Sequence, residues 1–135
     1  RASVEKTVMP RGQVEYGGLL TYTLTVSATP GTRVGLYDPL TDTAFLRFVT
    51  RPAGVITGDG AISGTLTVTP GNHVTVSFVA QVGVTGTAGG TVTVSNRACV
   101  YPADGTLGDC GWSDPVTTPA FRSYDVYLPI TLRDD

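Results

Sequence analysis

Charge is scarce in this 135-residue chain. Asp, Glu, Lys and Arg make up 15% of it, against roughly 25% in an average soluble protein. There is one lysine, Lys6, beside eight arginines, and there are two glutamates beside nine aspartates. With a formal net charge of −2, the chain lacks the basic footprint of a nucleic-acid binder. Long apolar runs are missing as well, and none approaches the roughly 20 residues of a membrane-spanning helix, so membrane insertion is not expected. Strong helix formers are few and no segment sustains a 3.6-residue period, which argues against helices.

Catalytic parts are equally thin. His73 is the sole histidine, hence the sole candidate base for a Ser–His–Asp hydrolase. It follows the turn Pro70-Gly71-Asn72, where a solvated turn histidine is the ordinary explanation. The stretch Gly58-Asp59-Gly60-Ala61-Ile62-Ser63-Gly64 has the spacing of neither a nucleophile elbow nor a phosphate loop. The reading is therefore a protein that is not an enzyme and needs no cofactor. Two Cys and one His do not complete a tetrahedral metal set. Asp104, Asp109 and Asp114 cluster, and Asp38 and Asp42 flank a Pro turn, but their spacing matches no EF-hand and ordinary turn chemistry explains them.

What the chain has in abundance is Thr and Val, punctuated by 17 Gly and 9 Pro. Leu20, Tyr22, Leu24, Val26 and Ala28 share one parity, with Thr21, Thr23, Thr25 and Ser27 on the other. Val74, Val76, Phe78, Ala80, Val82 and Val84 repeat the pattern, as do Val92, Val94, Ala98 and Val100. Shorter strand candidates are Ser3–Val8, Gln13–Tyr16, Arg33–Asp38, Ala44–Thr50, Val55–Thr57 and Ile62–Thr69. Tyr16-Gly17-Gly18, Pro30-Gly31, Asp59-Gly60, Pro70-Gly71-Asn72 and Gly89-Gly90 supply the turns. The expectation is an all-β fold, an immunoglobulin-like antiparallel sandwich of seven to nine strands, with a closed barrel as the alternative. One domain would occupy residues 1–121. An amphipathic strand or tail would follow over 122–135, where Tyr124, Val126, Leu128 and Ile130 share a parity and Pro129 argues for an edge. The start at Arg1 rather than Met reads as a processed piece of a longer product.

Cys99 and Cys110 flank a Gly-rich loop and read as one disulfide, holding an insertion over about 99–112. That pairing fits an oxidising compartment; two free thiols are the alternative. Trp112, Tyr101 and Leu107 lie in or beside this loop. They form either an apolar ligand patch or, the preferred reading, a cover in which Trp112 caps one end of the core. Tyr37, Phe45 and Phe48 are assigned to the core or its edges.

Three polar residues stand on apolar parities: Lys6 between Val4 and Val8, Asp38 after Val34 and Leu36, and Asn96 between Val94 and Ala98. Unpaired buried charges are very costly, so these groups should meet or escape at an end of the sandwich. Three outcomes are open. Lys6, its pKa lowered by burial, could attack the Asn96 side-chain amide and form an isopeptide bond, with a protonated Asp38 polarising the carbonyl and shuttling protons. The three could instead form a buried ion pair hydrogen-bonded to Asn. Finally, Lys6 could snorkel out from an edge strand.

The order of several segments resembles the conserved-repeat surface domain of bacteria and archaea, an immunoglobulin-like domain of unknown function. The matching pieces are Val4-Glu5-Lys6-Thr7-Val8, Gly18-Leu19-Leu20-Thr21-Tyr22-Thr23-Leu24-Thr25-Val26, Asp38-Pro39-Leu40, Thr69-Pro70-Gly71-Asn72-His73-Val74-Thr75-Val76 and Val94-Ser95-Asn96-Arg97-Ala98. They order the chain from about residue 3 to 101. Ser27-Ala28 stands where the family usually has an Asn, Asp38-Pro39-Leu40 departs from its Asp-x-Leu-Pro turn, and the cysteine loop is additional. Lys6, Asp38 and Asn96 fall on the family's recurrent Lys, Asp and Asn. The segment Val126-Tyr127-Leu128-Pro129-Ile130-Thr131-Leu132-Arg133 also looks like a C-terminal motif of some exported bacterial proteins, which would make Asp135 a natural end.

The resemblance implies an extracellular or cell-surface module that spaces, stabilises or anchors neighbouring domains of the same polypeptide. A second reading is an adhesion or targeting module that grips a cell-wall or matrix component through the Cys99–Cys110 loop and Trp112. Either would suit an accessory domain of a secreted hydrolase such as a subtilisin-like protease.

Overall fold

Period-2 alternation sets the strands at the centre of this protein. Leu20, Tyr22, Leu24 and Val26 are completely buried while Thr21 is exposed, because successive side chains of a pleated strand point to opposite faces. The computed structural model describes residues 2–40, 46–50, 56–58, 61–69, 71, 73–83 and 91–121. The strands in them are β1 (Ser3–Met9), β2 (Val14–Glu15), β3 (Leu19–Ser27), β4 (Arg33–Pro39), β5 (Leu46–Thr50) and β6 (Ile56–Gly58). They continue with β7 (Ala61–Thr67), β8 (His73–Val82), β9 (Thr91–Asn96), β10 (Cys99–Pro102), β11 (Gly111–Trp112) and β12 (Val116–Phe121). The expected tail over 122–135 lies outside the described residues, as do Phe45, Asp42 and the turns at Asp59-Gly60 and Gly89-Gly90. Among the described residues no helix is long and apolar enough to cross a membrane.

One sheet runs β1-β3-β8-β5, a second runs β11-β10-β4-β7-β6, and a third runs β2-β12-β9. All pairings are antiparallel except β12 with β2. This is the antiparallel, immunoglobulin-like sandwich that the alternation implied. The expected strand over Val92–Val100 is broken at Arg97-Ala98, so β9 pairs with β12 while β10 pairs with β4 and β11. Ser113 fastens the break. Its backbone N–H donates to the Ala98 carbonyl at 2.7 Å, and its hydroxyl accepts from the Ala98 N–H at 3.0 Å. The strand tally therefore exceeds seven to nine, since one long run is divided and short edge pieces also pair.

β12 was not anticipated, because Pro119 lies inside it. Pro removes a ladder donor and is confined to edges and bulges. β12 tolerates it because its outer side is paired only at Ala120–Phe121. The alternation is nevertheless present, with Thr118 and Ala120 buried and Thr117 and Pro119 exposed.

The core is built where the two main sheets face each other. Tyr22 stacks on Phe78 at 5.3 Å between ring centroids, and Phe48 meets Phe78 edge-on at 5.5 Å. Such pairs add about 0.5–1.5 kcal/mol beyond the area they bury. Phe48 thus sits with the core as anticipated. At the turn Pro70-Gly71-Asn72, Gly71 has a φ of 110°, a backbone conformation that a Cβ would strain.

Candidate functional site

Three strands deliver the site. Lys6 stands in the middle of β1, opposite Leu24, with Val4 and Val8 on the same inward face. Asp38 continues the inward parity of Val34 and Leu36 on β4, opposite Ile62. Asn96 ends β9, opposite Val116 and two residues beyond the buried Val94. All three are buried. The structure brings them together: Lys6 Nζ donates to Asp38 Oδ2 at 2.5 Å, and the Asn96 side chain is near enough to favour the charged form of the same carboxylate. Asn96 Nδ2 also donates to the Pro39 carbonyl at 2.5 Å. Snorkelling is thereby ruled out as a description of Lys6, whose side chain is fully covered.

Aromatic rings wall the amine. Lys6 Nζ lies 4.5 Å from the centre of the Tyr22 ring and 5.3 Å from that of Phe78. These faces attract an ammonium, but they hydrate neither member of the pair. Burial lowers the Lys6 pKa to about 8 from 10.5, against the opposing pull of the Asp38 charge and hydrogen bond. Burial raises the Asp38 pKa, against the charge and hydrogen bond of Lys6 and a lesser hydrogen bond from Asn96. Desolvation thus pushes both groups toward their neutral forms, an amine beside a carboxylic acid. Asp38 Oδ1 and Asn96 Oδ1 are buried with no hydrogen-bond partner. In chemical terms the cluster holds a nucleophile, a proton carrier and a carboxamide in one dry place.

The second group of sequence candidates is arranged differently from the expectation. Cys99 and Cys110 form a disulfide, with 5.5 Å between their Cα atoms. Trp112 does not cap the core. It is 41% exposed, because β11 pairs Trp112 with Cys99, whose neighbour Val100 takes the inward position. Its ring is met edge-on by Tyr37 at 6.4 Å and carries the Arg97 guanidinium at 4.3 Å. Tyr37 therefore lies half-buried on the outer surface of this sheet and not in the core expected for it, because its parity is opposite that of the buried Leu36 and Asp38. Tyr101 lies instead over Gly35, where any Cβ would collide with its ring. Leu107 is exposed on a single 3₁₀ turn (Leu107–Asp109).

Tyr101 also lines a cleft of about 850 Å³ at one end of the sandwich, together with Ala2, Ala28, Arg33, Val34 and Asp104. Asp109 closes the 3₁₀ turn by accepting from the Thr106 N–H at 3.1 Å. His73 Nδ1 donates to the Gly71 carbonyl at 3.0 Å, a local turn contact. Sequence reasoning missed Ser113, which holds the break two residues beyond Asn96. It also missed the Arg97–Trp112 contact, since register across the break was needed to see it.

The strand order and inward-facing pattern define an immunoglobulin-like β-sandwich. Among solved structures, the chain is similar to the major pilin subunit BcpA of Bacillus cereus, at 13% identity and a TM-score of 0.64. A BcpA variant carrying an Asp-to-Ala replacement gives 12% and 0.68. Both likenesses cover 91% of this chain and 41% of the pilin chain, so this chain spans about two fifths of the pilin's length. At these identities the likeness concerns the fold. No family model and no curated protein matches the chain.

Proposed function

We propose that this chain is a non-catalytic module of a larger bacterial or archaeal surface or secreted protein. It spaces, stabilises or anchors its neighbours, and a Lys6–Asn96 isopeptide bond ties its first strand to its late strands. The observation that carries this reading is the buried Lys6–Asp38 pair, with the buried Asn96 amide held on the adjoining Pro39 carbonyl. The conserved-repeat surface domain family is the proposed home of the chain. The likeness in fold to a pilin subunit agrees with a role outside the cell.

In the proposed reaction the neutral Lys6 amine attacks Cγ of Asn96. The Nζ–Cγ bond forms, the Cγ–Nδ2 bond breaks and ammonia leaves, with Asp38 carrying the proton. No oxidant is needed. A bond between β1 and β9 would keep a pull on the chain from peeling β1 away. Intact mass after reduction and alkylation tests this: a deficit of one ammonia that survives reduction is expected. The unreduced mass of the sequence would leave Lys6, Asp38 and Asn96 as packing chemistry and remove the cross-link.

A second reading is a binding module, favoured by one observation: Trp112 is exposed between Tyr37 and Arg97 in the disulfide-held region. Under this reading Trp112→Ala abolishes retention on cell-wall or matrix polysaccharide without changing the melting temperature. If the unaltered chain is not retained either, the reading loses its support.

A further inference from the structure

The two ends of the Asn96 carboxamide differ in chemistry, and the structure fixes which end faces which neighbour. A carbonyl oxygen can only accept, so the atom 2.5 Å from the Pro39 oxygen is the amide nitrogen. The same nitrogen is the only donor through which Asn96 can serve the Asp38 carboxylate. Asn96 Oδ1 is left without a hydrogen-bond partner. Turning the amide over would set its oxygen against the Pro39 carbonyl, one acceptor against another. Pro39 lies past the end of the β10–β4 ladder, which stops at Cys99 opposite Tyr37, while β7 pairs with it through Ala61 on the other side.

From this geometry we infer that the Pro39 carbonyl is a positioning group for the cross-link. It holds the Asn96 nitrogen on the side of Asp38, the carrier of a proton from Lys6 Nζ to the departing ammonia, and favours an amide over a carboxylate at residue 96 at neutral pH. The inference rests on the cross-linking reading above, and it narrows the role of Asp38 from polarising the carbonyl to serving the leaving group. Asp38 enters protonated, having taken the proton of the Lys6 ammonium. It passes that proton to Nδ2 as Cγ–Nδ2 breaks and recovers one from Nζ, so protons and electrons balance. With Asn96→Asp the leaving group is water. The new carboxyl can face the Pro39 carbonyl as a donor only when it carries a proton, which slows the reaction at neutral pH.

The test is intact mass of freshly refolded chains, followed over time at several pH values for the unaltered chain and for Asn96→Asp. The unaltered chain should lose one ammonia at neutral pH. Asn96→Asp should lose one water at least about tenfold more slowly there. The gap should narrow as the pH falls, because the new carboxyl gains its proton while the unaltered chain slows as Lys6 is held as the ammonium below about 8. Water loss at neutral pH as fast as the ammonia loss overturns the inference while leaving the cross-link intact. So does a neutral-pH gap that fails to narrow in acid, which would be simple damage to the site. No mass loss in the unaltered chain overturns the cross-link itself, and this inference with it. Should Asn96→Asp fail to fold, Lys6→Met keeps the amide uncross-linked. One Asn96 side-chain proton should then be protected from exchange in its NMR spectrum, and an unprotected pair would sink the proposal.

Discussion

Two regions of this molecule join distant strands, by opposite means. The Cys99–Cys110 bridge closes a loop whose ends are 11 residues apart, at the margin of one sheet and beside an exposed tryptophan. The Lys6–Asp38 contact spans 32 residues and that of Asn96 with Pro39 spans 57, in the dry space between sheets. The first constrains a local excursion between β10 and β11. The second links β1 of one sheet to β4 and β9 of the others, so its strength depends on the whole sandwich being in place. Long-range polar clusters of this sort cost desolvation unless every member is paired, whereas a disulfide contributes mainly by restricting the unfolded chain.

The sharpest way to break the comparison is Asp38→Ala. It leaves a buried lysine without its partner and removes the proton carrier, and chemical denaturation should show a loss of roughly 3–5 kcal/mol. The ammonia deficit should vanish in the same protein. A loss below about 1 kcal/mol would place the cluster with exposed ion pairs in energetic terms. Next, Cys99→Ser with Cys110→Ser should cost roughly 3 kcal/mol by the chain-entropy estimate. Unlike Asp38→Ala, it should leave the mass deficit of the Lys6–Asn96 pair untouched.

The gentlest contrast is pH. In an Asn96→Ala chain, which cannot cross-link, folded Lys6 loses its proton near its lowered pKa of about 8, while the unfolded chain holds it to 10.5. Between those values the unfolded state binds more protons, so the Lys6 contribution to stability rises with pH and is lost as pH falls through about 8. Asp38 acts in the opposite sense: its raised pKa makes stability fall as pH climbs above 3.8. Denaturation midpoints that stay flat from pH 8 to 10.5 would show that Lys6 is not desolvated as its burial implies.

Much of the fold was legible because alternation is a strong, local signal. β3 and β8 could be placed nearly to the residue, since apolar and threonine positions alternate there without interruption. β12 was hidden by Pro119, whose missing donor argues against a strand until the nearly unpaired outer side is known. The exposure of Trp112 was hidden for a related reason. Its side depends on the register of the two-residue strand β11 against Cys99, and no pattern that short fixes a register.

The sequence by itself determined that Lys6, Asp38 and Asn96 point inward, because each holds a place in a period-2 row of buried side chains. It also determined the pairing of the two cysteines once an oxidising compartment was assumed, since no other partner exists. Only the tertiary structure decided that Lys6 meets Asp38 beside the Tyr22 and Phe78 rings, and which end of the Asn96 amide faces Pro39. The reason is range. Inwardness follows from the pleat of a single strand, whereas meeting depends on strand order, register and the stacking of sheets whose members lie far apart in the chain.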